Sequence, residues 1–276
     1  MRSISRVYDV SINTVSKLLE DAGEVCAAFH DENVRGVKAE RIQVDEIWSF
    51  TAAKQKNVVA MKKPIAGAGD TWTWTALEAD TKLIVSYLIG TRDSDCAKRF
   101  MDDVASRLAN RVQLTSDGHK AYLDAVERAF GADVDYAQLV KLYGPSSDSS
   151  KGRYSPAECN GIKKTPIEGK PDPKHVSTSF VERQNLTMRM GMRRFTRLTN
   201  AFSKKLENHV HALALYFVHY NWMRIHKTLR VTPAMAAGLS DKLMGWEDII
   251  AVIDIKEKDA LAQKRAVMLD ELPYSK

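Results

Sequence analysis

Cysteine is scarce in this sequence. Its three cysteines, Cys26, Cys96 and Cys159, lie far apart along the 276 residues, and no C-x-x-C pair occurs. That spacing argues against a zinc ribbon, a redox dithiol and a disulfide framework. Any metal site in this chain is therefore expected to use other side chains.

Long apolar runs are also missing. No run approaches the ~20 residues that a membrane-spanning helix needs, and the opening MRSISRVYDV has no apolar signal-peptide core. The chain is 44% apolar and 28% charged, a composition typical of globular proteins. We expect a cytoplasmic protein with no membrane partner, long enough for one large domain or two smaller ones.

Positive charge is concentrated in one part of the chain. The net charge is +6 overall, whereas residues 182–230 contain ten Arg or Lys against two Glu, a local charge of +8. The remainder is therefore slightly acidic. A local basic segment of this kind predicts a phosphate-binding surface, although a solvated helix face would give the same composition.

The amino-terminal residues have a helix-turn-helix pattern. A short apolar stretch precedes a polar turn at 9–11, and the next helix would bury Val15 and Leu18 and end near Gly23, ahead of a charged connector. In such motifs the second helix enters the major groove of DNA. The residues predicted to face DNA are Asn13, Thr14, Ser16 and Lys17. An ordinary helical hairpin fits the same pattern equally well.

The remaining pattern alternates between strands and helices. It predicts a strand at RIQVDEIWSF, followed by an antiparallel strand pair joined by a turn at 79–81 and then by a helix. A strand that ends at Asp117, a second helix and a fifth strand at VDYAQLVKLYG follow. Residues 144–176 are rich in Ser, Pro, Gly and Lys, which predicts a long irregular loop. Helices are expected over 177–190 and over 200–229, and a weak helix is expected over 246–253.

Three carboxylates stand out in this order of elements. Asp45 interrupts an apolar strand, Asp117 ends another strand, and Glu182 opens a helix after the long loop. Two Mg²⁺ ions can promote phosphodiester cleavage, and Mg²⁺ prefers oxygen ligands. If the two strands are neighbours, the sequence predicts a two-metal site built from these three side chains.

Each carboxylate also has a simpler interpretation. Asp45 could be an edge-strand charge with Glu46 as its more exposed neighbour, and Asp117 with Gly118 could be an ordinary turn pair. Glu182 follows Ser179 at the spacing of a capping box. No residue of the three is specific alone, whereas their order and contexts together are.

Three blocks of the sequence resemble one known family. The segments VDEIWSF, TSDGHKAY and STSFVERQNLTMRMGMRRFTRLTNAFSKK are similar to the catalytic blocks of bacterial insertion-sequence transposases with a DDE triad, of the insertion-sequence-1-like group. The later segment YNWMRIHKTLRVTPAMAAG is similar to the segment that ends many transposase and integrase cores. The resemblance covers roughly residues 3–239. It implies an α/β protein with an RNase H-like core, a mixed five-stranded sheet flanked by helices, behind an amino-terminal helix-turn-helix segment.

The resemblance also implies an activity and a set of site residues. Asp45, Asp117 and Glu182 would bind two Mg²⁺ or Mn²⁺ ions for cleavage at element ends and strand transfer into target DNA. Double-stranded DNA would be the partner, bound by a homodimer or higher assembly. Further residues expected to contact DNA are Lys120, Arg183, Asn185, Arg189, Arg193, Arg194, Arg197, Lys204 and Lys205.

These inferences lead to one division of the chain and two alternative functions. We expect a partial helix-turn-helix segment and connector at 1–38, a catalytic domain at 39–230 and a helical tail at 231–276. Family members often carry a zinc-binding segment ahead of the helix-turn-helix, and no matching cysteines occur here. A truncated or inactive derivative that only binds DNA is therefore one alternative, and an RNase H-type nuclease without joining activity is the other.

Overall fold

The protein is described from a computed structural model covering residues 1–63, 65–144, 158–196 and 200–270. The chain divides into two compact units. One unit is Val34–Leu206, and the other combines Met1–Asn33 with Glu207–Lys276. Residues 207–230 thus group with the amino-terminal helices and not with the unit that holds the sheet.

A mixed six-stranded sheet forms the centre of the Val34–Leu206 unit. Its strands are β1 (Arg41–Thr51), β2 (Gly69–Glu78), β3 (Ile84–Gly90), β4 (Gln113–Ser116), β5 (Asp135–Gly144) and β6 (Glu158–Glu168). The order across the sheet is β3-β2-β1-β4-β5-β6. The β1, β2 and β3 strands pair antiparallel, the β1–β4 and β4–β5 pairs are parallel, and β6 is antiparallel to β5.

The described residues also form nine α-helices. These are α1 (Arg2–Val7), α2 (Ile12–Asn33), α3 (Gln55–Val58), α4 (Ser94–Arg107), α5 (Ala121–Phe130), α6 (Ser179–Gly191), α7 (Leu206–Val218), α8 (Pro233–Ala236) and α9 (Trp246–Asp270). A 3₁₀ turn follows α6 at Arg193–Phe195, and a π-helical turn continues α7 over His219–Met223. No helix in this part of the chain is long and apolar enough to cross a membrane.

The arrangement confirms the fold class expected from the sequence. Strands β1 to β5 and the helices beside them form the mixed α/β, RNase H-like core. The sheet has a sixth strand that the sequence analysis missed. Residues 158–168, predicted to be part of an irregular loop over 144–176, form β6 at the edge of the sheet. An edge strand tolerates Pro166 because one side of the strand has no hydrogen-bonding neighbour.

Apolar burial on both faces of the sheet fixes these elements. In β1 the side chains of Ile42, Val44 and Ile47 are fully buried, although they do not all lie on one face. Helix α4 buries Phe100 and Met101. Asp93 caps its amino-terminal end, and the Asp93 carboxylate accepts a hydrogen bond from the Cys96 N–H. Because β1 is covered on both faces, its polar side chains are surrounded by packed residues.

The helices of the other unit depart from the sequence prediction in several places. Helix α2 does not end near Gly23 but continues to Asn33. Val15 is buried as predicted, whereas Leu18 is 60% exposed, so the expected inward position of Leu18 is wrong. The helix predicted over 200–229 begins only at residue 206, and the weak helix predicted over 246–253 extends to residue 270.

Candidate active site

Two aspartates meet where β1 and β4 run side by side. The strands are parallel, and the last pair in register is Gln43 with Thr115. Asp45 and Asp117 each lie two residues beyond that pair. Because parallel strands advance together, the two carboxylates come close to each other just past the end of β4. The two strands are neighbours in the sheet, which is the condition on which the predicted site depends.

Asp45 is half-buried and held by two donors. Its Oδ1 accepts a hydrogen bond from the Glu46 N–H at 2.9 Å, and its Oδ2 accepts one from Asn185 Nδ2 at 2.8 Å. Burial and, after it, the carboxylate of Asp117 raise the pKa of Asp45 to about 6, and Glu182 adds to the rise. The three acidic residues thus share one electrostatic environment, in which a bound cation would relieve their repulsion.

Asp117 forms a turn and also lines the candidate site. Its Oδ1 accepts a hydrogen bond from the His119 N–H at 2.9 Å, the contact of an Asx turn, while Arg92 Nη2 lies 3.5 Å from Oδ2. A Cβ at Gly118 would lie 2.8 Å from Val140 Cγ2, so glycine permits β5 to approach closely. The turn interpretation and the site interpretation are therefore compatible at this position.

Glu182 lies in the first turn of α6 and lines the same cavity. Lys141 Nζ donates to both of its carboxylate oxygens, at 2.6 and 2.5 Å, and Thr178 Oγ1 donates to Oε1 at 2.7 Å. Thr178 occupies the N-cap position of α6 without a side-chain capping hydrogen bond, so the capping box predicted with Ser179 as its cap does not form. Glu182 is instead tied to β5 through Lys141 and to the helix start through Thr178.

Glu46 is a site residue that the sequence analysis took for an exposed neighbour. Its side chain is only 1% exposed, and Arg92 Nε donates to its Oε2 at 3.0 Å. Its Oε1 is buried and makes no hydrogen bond of standard geometry among the described residues, although the buried Tyr122 hydroxyl interacts with this carboxylate. Burial, with the Asp117 carboxylate adding to it, raises the pKa of Glu46 to about 7, while the Tyr122 hydroxyl and Arg92 oppose the rise.

The carboxylates offer a donor set that suits a divalent cation. One oxygen each from Asp45, Glu46 and Asp117 lie within 4.8 Å of one another, the closest acidic group found in the described part of the chain. Carboxylate oxygens are the ligands that Mg²⁺ and Mn²⁺ prefer. Glu182 does not belong to this closest group, and its oxygens contact Lys141 instead. The residues present fit a metal ion at Asp45 and Asp117.

Asp45, Asp117 and Glu182 line one open cavity of about 740 Å³, and Glu46 is not among the residues of its wall. Its wall includes the carboxylates of Asp45, Asp117 and Glu182 together with the cations of Arg92 and Lys141. Arg92 and Lys141 come from elements distant in sequence, and no local pattern marked them. A cavity with a cluster of carboxylates and cationic side chains around it can bind a metal ion and a phosphate group together.

The residues predicted to contact DNA differ in their exposure. In α2, Ser16 is partly exposed, and those exposed to solvent are Asn13, Thr14 and Lys17. In the sheet-containing unit, the exposed ones are Lys120, Arg183, Arg193, Lys204 and Lys205. Lys120 also lines the cavity beside Asp117. The exposed Lys and Arg side chains among them are accessible to a phosphate backbone.

The other predicted DNA contacts lie deeper. Asn185 is 5% exposed and donates to Asp45, which gives it a positioning contact within the site. Arg189 is half-buried, and Arg194, also half-buried, donates to Ser203 Oγ at 2.5 Å. Arg197 lies outside the described residues.

Comparisons with known proteins give only remote structural similarity. No protein-family model matches this chain, and no curated protein matches it either. One similar solved structure is an intasome of simian T-cell lymphotropic virus in complex with PP2A regulatory subunit B56 gamma, with 13% identity over 76% of this chain and a TM-score of 0.42. Another is the piggyBac transposase synaptic complex with hairpin DNA, with 8% identity over 87% of this chain and a TM-score of 0.32. The similarity covers 58% and 56% of those two chains.

Proposed function

We propose that this chain is a DDE transposase of the insertion-sequence-1-like group, which cleaves DNA at element ends and transfers the freed strand into target DNA. One observation carries the proposal. Asp45 and Asp117, from adjoining parallel strands, line the same cavity as Glu182 from α6. The sequence blocks that resemble the transposase family contain these same three residues.

In this proposal the three carboxylates hold the metal ions. Asp45 and Asp117 are the ligands with the closest approach, and Glu182 completes the set once it leaves Lys141. Two Mg²⁺ or Mn²⁺ ions would activate the attacking oxygen and stabilise the charge that develops on the leaving oxygen. The acidic cluster provides the oxygen ligands that these ions prefer.

Neighbouring side-chain and backbone groups keep the carboxylates in position. Asn185 fixes the orientation of Asp45 by donating to Oδ2, and the His119 N–H does the same for Asp117 Oδ1. Thr178 and Lys141 hold Glu182. Such supporting hydrogen bonds keep ligands near the geometry that catalysis requires.

Exposed cations would bind the DNA backbone around this centre. Lys120 lines the cavity, and Arg183 and Arg193 are exposed in and just after α6. Contacts of this type give affinity and salt dependence without reading the base sequence. The proposed partners are double-stranded element ends and target DNA. Since two ends must be held together, the proposed active form is a homodimer or a higher assembly.

The products formed by the purified full chain test this function. Labelled duplex DNA carrying the element end is incubated with a target plasmid and Mg²⁺, and the products are resolved on a denaturing gel. We expect a nick that leaves a 3′-hydroxyl, followed by a longer product in which that end is joined to the plasmid. Both products should disappear when EDTA removes the metal.

Two other outcomes would contradict the proposal. Nicking without any joined product would indicate a nuclease that uses the same core on another substrate. Salt-sensitive DNA binding that is indifferent to EDTA, with no nick, would indicate a protein that only binds DNA. Retention of labelled DNA on a filter, measured in the same reactions, separates loss of binding from loss of cleavage.

A further inference from the structure

The carboxylate of Glu46 lies close enough to the proposed metal ligands to be an additional ligand. An oxygen of Glu46 lies within 4.8 Å of ligand oxygens of both Asp45 and Asp117, a proximity that Glu182 does not share. Glu46 is adjacent to Asp45 in β1, yet both carboxylates reach Asp117. The inference drawn from this proximity rests on the proposed metal-dependent function.

The burial of Glu46 is an independent observation. The residue is 8% exposed, and its Oε1 is buried without a hydrogen bond of standard geometry in the described ranges. The Tyr122 hydroxyl, which is buried and also makes no such hydrogen bond there, is a neutral group that interacts with this carboxylate. Leaving a buried charged oxygen without a partner is unfavourable, by more than the cost of a neutral polar group. Because this carboxylate lies in the acidic cluster, a cation bound there would satisfy it.

Arg92 fixes the other oxygen of Glu46. Its Nε donates to Oε2 at 3.0 Å, its Nη2 lies 3.5 Å from Asp117 Oδ2, and its guanidinium packs over the Trp72 ring at 4.9 Å. Asp45, Glu46 and Asp117 with Arg92 carry a formal charge of −2 when ionised, from three carboxylates and one guanidinium. One divalent cation would balance that charge.

We propose that Glu46 is an additional ligand of the divalent ion held by Asp45 and Asp117, bound through Oε1 while Arg92 fixes Oε2. In this arrangement Arg92 is a positioning residue. It holds Oε2 of Glu46 and limits the repulsion between Glu46 and Asp117. Glu182 then serves the second ion or joins the first only after leaving Lys141.

Binding of Mn²⁺ alone to the full chain tests the proposal, with isothermal titration calorimetry as the readout. Glu46→Gln keeps the shape of the side chain and an oxygen for Arg92 but removes the charge. We expect its Mn²⁺ affinity to fall about tenfold or more. We also expect its melting temperature in EDTA to be no lower than that of the wild type, because a buried repulsive charge has been removed. A purely structural Glu46 would instead lower that temperature and leave the affinity unchanged.

Asp103→Asn is the matched control. Asp103 forms a similar ion pair with Arg107 on α4, outside the cavity, and its loss should leave Mn²⁺ affinity unchanged. If Glu46→Gln does not fold by circular dichroism, Glu46→Asp, which retains the charge but is shorter, is measured instead and should also bind Mn²⁺ more weakly. Wild-type affinity in the folded Glu46 variant would overturn the proposal.

Asp45→Asn distinguishes this inference from the proposed function. If Asp45→Asn loses Mn²⁺ binding and the Glu46 variant does not, Glu46 is no ligand and the proposed triad remains. If both variants bind Mn²⁺ as the wild type does, the metal centre of the proposed function is contradicted together with the inference.

Discussion

Lys141 forms a bidentate ion pair with Glu182, with its Nζ 2.6 and 2.5 Å from the two carboxylate oxygens. Both side chains are partly exposed. The pair occupies the oxygens that the proposed function needs for a metal ion. Metal binding at Glu182 therefore competes with Lys141.

Lys141→Met tests this competition. Because the variant leaves Glu182 without its ammonium partner, we expect Mn²⁺ affinity to rise, by about fivefold if the partly exposed pair contributes ~1 kcal/mol. Lys163→Met removes the same charge from an exposed position of β6 and should leave the affinity unchanged. Calorimetric titration with Mn²⁺ measures both, and weaker binding in Lys141→Met would show that Lys141 assists the metal instead of competing with it.

The raised pKa of Asp45 predicts how stability depends on pH without metal. Burial and the Asp117 carboxylate raise this pKa from 3.8 to about 6 in the folded protein. Between these two values the folded state retains a proton that the unfolded state has released. The Asp45 contribution thus destabilises the folded protein increasingly as pH rises through that window, and the full cost is present above it.

Urea unfolding in EDTA, repeated across this pH range, measures the effect. The free energy of unfolding of the wild type should contain a term that falls as pH rises from about 4 to about 6. Asp45→Asn should lack that term and show a flatter profile. Identical slopes for the two proteins would mean that Asp45 has an ordinary pKa.

Asn185→Ala separates a positioning role from direct DNA binding. Asn185 is buried and donates to Asp45 Oδ2, so the variant should bind Mn²⁺ more weakly and cleave DNA about tenfold more slowly. DNA affinity should not change. Thr187→Ala, two residues further along α6, is the control for effects on the helix. Weaker DNA binding with normal Mn²⁺ affinity would instead make Asn185 a DNA contact.

Gly23→Ala tests the packing of α2 against α7. A Cβ at residue 23 would lie 2.3 Å from His211 Cβ and 2.6 Å from His211 Cα, closer than real contacts allow. We expect the substitution to lower the free energy of unfolding by about 1–3 kcal/mol, as overpacking usually does. Glu24→Ala changes the exposed neighbouring residue and should have little effect. Equal free energies of unfolding for Gly23→Ala and Glu24→Ala, measured with urea, would mean that α2 and α7 can move apart to accommodate the added Cβ without loss of stability.

The sheet was largely predictable from the sequence, because its first five strands have clear apolar patterns bounded by turns. The sixth strand was not. Residues 158–168 contain Gly161 and Pro166, which predict a loop when read locally, whereas pairing with β5 makes them an edge strand. Helix α2 was predicted too short for a similar reason. Gly23 looked like a helix end, but its missing side chain accommodates His211.

The candidate site was predictable only in part. Asp45, Asp117 and Glu182 could be identified from their strand and helix contexts and from the family resemblance. Glu46 was misjudged because alternation assigns neighbouring strand residues to opposite faces and β1 is covered on both. Arg92 and Lys141 reach the cavity from distant elements, and tertiary contacts of this kind leave no local pattern.

Metal-dependent cleavage by the triad variants tests the central claim most directly. The first-order rate of 3′-hydroxyl formation is measured with Mg²⁺ and saturating element-end DNA for the wild type, Asp45→Asn, Asp117→Asn and Glu182→Gln, with Asp103→Asn as control. The account predicts that each triad variant still binds DNA but cleaves it at least about a thousandfold more slowly, whereas Asp103→Asn cleaves normally. Cleavage at the wild-type rate in all three triad variants would contradict it.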